Sequence, residues 1–152
     1  MRRLSSLLVY IAIVAVACGG DDYERDDGPY DSPPPAADLV TDYAGLFGAL
    51  EDGALDPVDG GVLQQPFLSV SPRVISTTYG DVQVFEYVDD AAMEADAKKI
   101  SADGFTFGGT LVGWVDVPHV FKNGRVIALY VGANNPITNA LRGALGEQFA
   151  GG

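Results

Sequence analysis

His119 is the only histidine in the 152-residue chain, and it ends the run Trp114-Val115-Asp116-Val117-Pro118-His119. An imidazole beside a carboxylate can act as a general base whose orientation the carboxylate fixes. This run therefore suggests a candidate catalytic pair, His119 with Asp116, and Trp114 as a stacking wall. Because a turn at Pro118 separates the pair, the simpler interpretation is a buried tryptophan, a turn aspartate and a surface or satisfied histidine.

Other catalytic and metal-binding patterns are missing from the sequence. One histidine and one cysteine rule out a two-histidine zinc motif, a cysteine zinc site and an internal disulfide framework. The glycine-rich stretch 104–109 lacks the lysine of a phosphate loop and predicts a turn. The carboxylate pairs Asp89-Asp90 and Glu94-Asp96 suit the start and the exposed face of a helix better than glycosidase chemistry. We expect no metal and no cofactor, and enzyme activity is the less favoured interpretation.

The charge of the chain restricts its partners. There are 21 acidic and nine basic side chains, for a net charge of -12. A nucleic-acid-binding protein must neutralise phosphates with lysine and arginine, so this class is not expected. The apolar content of 47% and charged content of 20% are typical of a globular protein.

Residues 1–17 have the pattern of an export signal. Arg2 and Arg3 precede an uninterrupted apolar run of 11 residues, 7–17. That run is too short to span a membrane, which takes about 20 residues, but it suits the apolar region of a signal peptide. An ordinary secretory signal followed by an incidental thiol at Cys18 is the alternative.

The segment Ala15-Val16-Ala17-Cys18 resembles the lipobox of bacterial lipoproteins, which more often has leucine where Ala15 stands. The resemblance implies a diacylglyceryl group on the Cys18 sulfur, cleavage before Cys18, and an acylated amino terminus carrying chains such as palmitate. Several acyl chains hold a protein stably on a membrane. The protein would then face the periplasm or the exterior. Gly19 replaces the aspartate that retains some lipoproteins at the inner membrane, which is compatible with an outer-membrane destination.

Residues 18–37 have the composition of a tether. They contain six acidic residues, one arginine and the run Pro33-Pro34-Pro35. Like charges repel each other and prolines extend the chain, so a solvated linker is expected. The acidic spacing does not fit an EF-hand calcium loop. Residues 38–152 are then the globular domain.

Three helices and several strands are predicted in the globular domain. Helices are expected after Asp38, after Asp89-Asp90 and after Asn135, since each position can supply an N-cap. Asn123-Gly124 is the strongest hairpin signal and connects two apolar strands. The remaining strands are expected at these positions: 67–70, 73–78, 81–88 and 110–115.

These elements predict an α+β two-layer sandwich, with helices on one face of a mostly antiparallel sheet. At an offset of 44, Gly80 matches Gly124 and Val82 matches Val126. This suggests a tandem helix-plus-strands repeat closed by a C-terminal helix. Two ordinary hairpins, each followed by a helix, would look similar.

The second face of this sheet would need its own cover. Residues 126–131 are apolar on both faces, so their strand should be central. If helices cover one face only, four apolar residues point to the other: Phe85, Tyr87, Ile127 and Leu129. With Trp114, they are candidate binding residues for an apolar ligand or a protein partner. The loop 54–65 and a partner subunit are other possible covers, and the oligomeric state is open.

Five segments of the domain resemble an uncharacterised family of small bacterial lipoproteins. They are Gln65-Pro66-Phe67-Leu68-Ser69-Val70, Asp81-Val82-Gln83-Val84-Phe85-Glu86-Tyr87, residues 114–119, Ala128-Leu129-Tyr130-Val131-Gly132 and Leu145-Gly146-Glu147-Gln148-Phe149-Ala150-Gly151. The resemblance implies no activity, cofactor or catalytic residue. The sequence thus favours a lipid-anchored binding or interaction module of the cell envelope, and the alternative is a small hydrolase using His119 with Asp116.

Overall fold

A computed structural model of the protein describes residues 38–65 and 67–152. The signal peptide, the lipidation at Cys18 and the tether are predictions that lie outside the described residues. Within the described part, no helix combines the length and the apolar character that crossing a membrane requires.

The described residues form three helices, α1 (Tyr43–Asp52), α2 (Asp90–Ala97) and α3 (Asn135–Leu145). Asp42 caps α1 by accepting a hydrogen bond from the Gly45 N–H, and Asp89 caps α2 in the same way. The predicted cap of α1 at Asp38 was wrong. Residues 38–41 precede the helix, where the Val40 N–H donates to the Ala144 carbonyl of α3.

Eight strands are present in the described residues: β1 (Val58–Val62), β2 (Arg73–Thr77), β3 (Gly80–Glu86), β4 (Thr106–Phe107), β5 (Thr110–Leu111), β6 (Pro118–Asn123), β7 (Val126–Val131) and β8 (Ala150–Gly151). Six form an antiparallel sheet in the order β1-β2-β3-β7-β6-β8, and β4 pairs with β5. The predicted α+β class and antiparallel sheet are confirmed. The prediction of a strand at 67–70 was wrong, because these residues form bends.

The hairpin of β6 and β7 holds the centre of the sheet. Gly124 has a φ of 53°, a left-handed conformation that glycine adopts without a steric penalty. β7 lies between β3 and β6, and Val126 to Tyr130 are all buried. The predicted central position of this strand is confirmed.

The register between β3 and β7 is symmetric about the pair Val84 and Ala128. Val82 pairs with Tyr130 and Glu86 pairs with Val126, so residues 44 apart exchange places across the centre. A two-fold axis perpendicular to the sheet would relate the two strands and keep related helices on one face. The proposed repeat therefore has a counterpart in the strands, but α1 and α2 lie on opposite faces and break it.

One face of the sheet is covered by α1 and α3, which we call the helical layer. Apolar side chains of these helices pack on residues of β2, β3, β6 and β7 that point to this face, among them Ile75, Val82, Phe121 and Ala128. The helices contribute Leu46, Leu50, Ile137 and Leu141, all fully buried.

The opposite face is covered by α2, residues 67–70 and the β4–β5 region, which we call the second layer. Met93 and Ala97 of α2 lie one helical turn apart and pack with Phe85 and Ile127 of the sheet. The prediction of helices on one face only, in two layers, was therefore wrong. The sheet is the middle of three layers.

Candidate functional site

His119 lies on β6, on the face that carries the helical layer. Its ring stacks on that of Tyr130, the residue opposite it on β7, with centroids 6.0 Å apart and planes at 19°. Its Nδ1 lies 2.8 Å from Oε1 of Gln148, in the connection between α3 and β8. An amide oxygen can only accept, so Nδ1 is the donor in this contact, and in the tautomer that makes it Nε2 is free to accept.

Asp116 does not contact this imidazole. Its Oδ1 accepts a hydrogen bond of 2.8 Å from the adjacent Val117 N–H, so the carboxylate closes its own turn before β6 begins. The predicted pairing of His119 with Asp116 is therefore not formed. Gln148 takes the orienting role, and because it is 29 positions from His119 in the sequence, no local pattern indicates this contact.

A surface cleft of about 290 Å³ opens beside His119. Its lining is Val117, His119, Ala133, Asn135, Thr138 and Gly152, with no acidic side chain. The Thr138 hydroxyl donates to the Asn135 carbonyl at 3.1 Å and is thus engaged within α3. The lining offers an oriented imidazole and apolar walls, but no serine or cysteine nucleophile.

Trp114 lies in the second layer and does not line this cleft. Its Nε1 donates to the Gly104 carbonyl at 2.8 Å. Its ring meets Phe107 edge-on at 5.6 Å and Phe67 edge-on at 6.2 Å. The predicted stacking wall for His119 is therefore an aromatic packing residue elsewhere in the domain.

The four apolar binding candidates on the sheet are buried by the chain itself. Phe85 and Ile127 are 0% exposed, Leu129 is 1% exposed and Tyr87 is 3% exposed. The second layer covers all four, so the predicted exposed patch was wrong. The sequence pattern identified the apolar face correctly but not the elements that cover it.

Asp96 is an unexpected feature of the second layer. It was predicted on the exposed face of α2, but only 1% of the residue is exposed. Its Oδ2 accepts hydrogen bonds from the Ser69 N–H (2.6 Å), the Ser69 hydroxyl (2.7 Å) and the Tyr87 hydroxyl (3.1 Å). Its Oδ1 binds the Lys99 ammonium at 2.6 Å.

These contacts decide the charge of Asp96. Burial alone would raise the pKa of its carboxyl, but the hydrogen bonds from Lys99, Ser69 and Tyr87 outweigh that effect and hold the pKa below its usual value. Burial and the neighbouring carboxylate together raise the pKa of Tyr87 well above its usual value. At neutral pH the cluster therefore contains an ionised aspartate and a protonated tyrosine.

A sequence signal for this burial exists. Asp96 follows Met93 by three positions and precedes Ala97, so it shares the apolar face of α2.

In the described part of the chain, histidine, cysteine, aspartate and glutamate nowhere gather in a group of three or more that could hold a metal ion. Comparison with known proteins gives no match to a family model, to a curated protein or to a solved structure.

Proposed function

We propose that this protein is an exported, lipid-anchored bacterial lipoprotein whose domain 38–152 is a binding or interaction module of the cell envelope. The support for the anchor is in the sequence. The charged start, the apolar run 7–17 and the lipobox-like segment ending at Cys18 occur in the order that lipoprotein processing requires. An acidic, proline-rich segment then separates Cys18 from the domain, and the domain faces the periplasm or the exterior.

The observation that favours binding over catalysis is the cleft beside His119. Gln148 and the Tyr130 ring fix the imidazole, while the side chains that line the cleft supply neither a carboxylate nor a free nucleophile. Such a cleft suits a small group that donates one hydrogen bond to Nε2 and packs against Val117 and Ala133. A hydroxyl or an amide N–H of an envelope partner has that chemistry.

The hydrolase alternative has lost its geometric basis. Asp116 is bonded to the Val117 N–H, and the Thr138 hydroxyl is bonded to a carbonyl of its own helix. A general base needs a substrate proton within reach and a nucleophile or water to activate. Binding is therefore the function proposed for the cleft.

The anchor is tested by metabolic labelling with a palmitate analogue in a bacterial host. The wild-type chain is expected to be labelled and to fractionate with membranes, whereas Cys18→Ser is expected to lose the label. Ser32→Ala, a substitution in the tether, is the matched control and should be labelled like the wild type. Equal labelling of the Cys18→Ser chain would contradict the anchor.

The binding site is tested with a photo-crosslinking amino acid in living cells. Placed at Ala133, which is exposed and lines the cleft, it is expected to give a discrete adduct that His119→Ala weakens. Placed at Val115, which is 98% exposed and does not line the cleft, it should not give that adduct. Identical adducts at both positions, or no response to His119→Ala, would count against the cleft as the binding site.

A further inference from the structure

Residues 67–71 lie across the second layer without forming a strand. Phe67 contacts the rings of Phe107 and Trp114, each with centroids 6.2 Å away, and Leu68 is buried. Among the described residues, the Ser69 N–H is the one backbone group of this segment that is hydrogen-bonded to another element, and its acceptor is the Asp96 carboxylate. Apolar contacts and one side chain thus hold the segment in place.

Asp96 connects three parts of the chain through polar contacts. It lies on α2, binds Ser69 of the segment twice, and accepts from Tyr87 just beyond the end of β3. A buried carboxylate that keeps its charge needs such partners, because removing it from water is costly. Near the C-terminal end of a helix the helix dipole also disfavours a negative charge, so the helix itself does not explain the position.

The rest of the second layer is attached independently of Asp96. The Gly108 N–H donates to the Lys99 carbonyl and the Ser101 N–H donates to the Thr106 carbonyl, which ties the β4–β5 region to the end of α2. The Gly151 N–H of β8 donates to the Ala102 carbonyl. Opening residues 67–71 would break none of these bonds.

We propose that Asp96 is a latch, and that its release lets residues 67–71 lift away and uncover the aromatic cluster of Phe107 and Trp114 while the sheet stays folded. Segments with few backbone hydrogen bonds belong to the least stable parts of a protein and open locally. Among the described residues, one backbone N–H of this segment is hydrogen-bonded to another element, and its acceptor is the Asp96 side chain. Among the described residues, the groups facing the carboxylate are Lys99 in the turn after α2, Tyr87 beyond β3 and Ser69 of the segment, and all three are donors.

The latch is closed at neutral pH because the pKa of Asp96 lies below its usual value. Among the described residues, Lys99 is the charged group in contact with Asp96, and its side chain is half-exposed. Water therefore reaches the network from that side.

Single-residue hydrogen exchange of the full chain tests the latch. In the wild type, the Ser69 amide is expected to exchange at least about tenfold faster than the amides of β7 and to respond little to low urea concentrations. Asp96→Asn is expected to speed Ser69 exchange by about tenfold or more and to make Trp114 more accessible to acrylamide, while β7 stays strongly protected. Glu94→Gln, on the same helix but in contact with Lys122 instead, should leave the Ser69 amide as it is in the wild type.

Two outcomes would overturn the proposal. The first is Ser69 exchange that follows the urea dependence of β7, because the segment would then open only when the whole domain unfolds. The second is an Asp96→Asn chain with Ser69 and Trp114 as protected as in the wild type. If Asp96→Asn does not fold, the wild-type urea dependence still decides, and Ser69→Ala, which removes one of the two Ser69 bonds, should increase the acrylamide quenching of Trp114.

Discussion

The two faces of the central sheet are covered in different ways. On one face, α1 and α3 pack apolar side chains against the sheet, and the buried polar residue of these helices is Thr138, which is uncharged. The other face is covered by three short elements, which are the two-turn helix α2, the irregular residues 67–70 and the β4–β5 hairpin. The ionised side chain of Asp96 lies among them.

The difference follows from backbone hydrogen bonding. A regular helix satisfies its own N–H and C=O groups and can therefore cover a sheet with apolar side chains alone. An irregular segment such as residues 67–71 has no helix or sheet partner for its backbone groups, so a group that faces the protein can be paired by a side chain. Asp96 supplies one for the Ser69 N–H.

The largest loss of stability is expected when a buried phenylalanine in either layer is replaced by alanine. Phe121 in the helical layer and Phe107 in the second layer are at most 1% exposed, and phenylalanine-to-alanine changes at such sites cost about 3–5 kcal/mol. For Phe121→Ala, we expect far-UV circular dichroism and Trp114 fluorescence to report one urea midpoint, because a central strand is destabilised.

For Phe107→Ala, the two probes are expected to separate. Trp114 lies 5.6 Å from the Phe107 ring, so its fluorescence reports the second layer and should change at a lower urea concentration than the circular dichroism of the sheet and helices. Coincident midpoints for Phe107→Ala would mean that the two layers unfold as one unit, and the contrast between them would fail.

The next effect concerns Asp96 and pH. Its pKa is lower in the folded than in the unfolded chain, where aspartate titrates near 3.9. The stabilising contribution of the Asp96 charge is therefore fully present above about pH 4 to 5, and it is lost as the pH falls through the pKa of the folded state. We expect Asp96→Asn to lower the free energy of unfolding by about 2 kcal/mol at pH 7 and to make the loss between pH 5 and pH 3 smaller than in the wild type.

Urea titrations at pH 7, 5 and 3 measure this effect. Asp59 remains in the variant, and the Arg73 guanidinium and the Gly61 N–H lower its pKa to about 2. Some acid dependence should therefore persist after the Asp96 substitution. An Asp96→Asn chain that loses as much stability as the wild type between pH 5 and pH 3 would show that Asp96 does not stabilise the second layer by its charge.

Features with a local sequence pattern could be predicted, whereas the edge strands could not. Asp89 as a cap and Asn123-Gly124 as a hairpin are local patterns, and both are found in the structure. The edge strands were missed, because β1 contains Gly60-Gly61, which is typical of a loop, and β8 has only two residues.

The candidate site was predicted only as far as its residue types. His119 does line a cleft, but its partner Gln148 is distant in the sequence, and distant contacts have no local signal. Which face of the sheet α2 covers likewise depends on how the chain returns over the sheet. Asp96 is the exception, since its helical phase relative to Met93 and Ala97 predicts burial, while its polar character argued against it.

An effect of similar size distinguishes the β6–β7 turn of the central sheet from the β4–β5 turn of the second layer. Gly124 connects β6 and β7, and an added Cβ would lie 2.5 Å from Cβ and 2.7 Å from Cα of Thr41. Gly124→Ala should therefore displace residues 40–41, whose carbonyls accept from Asn123 Nδ2 and the Arg125 N–H. Strain at the positive φ adds to this, and we expect a loss of about 2 kcal/mol or more in urea titrations.

Gly109 in the β4–β5 turn is the matched control. Its φ is +82°, but no atom lies within 4 Å of an added Cβ. Gly109→Ala should therefore cost only the backbone strain, about 1 kcal/mol. Equal losses of stability for the two variants would mean that the contact with Thr41 contributes nothing and that the two turns accept an added methyl group equally well.

The smallest effect tests whether the second layer depends on single polar contacts beyond Asp96. Trp114→Phe keeps an aromatic ring against Phe107 but removes the N–H that donates to the Gly104 carbonyl. Because one hydrogen bond contributes about 1 kcal/mol, we expect a loss of that size, measured by far-UV circular dichroism in urea since the variant has no tryptophan. Val115→Ser, at a 98% exposed neighbour, should stay within about 0.5 kcal/mol of the wild type. If Trp114→Phe were as neutral as Val115→Ser, apolar packing alone would hold this part of the second layer, and its reliance on polar contacts would be confined to the Asp96 network.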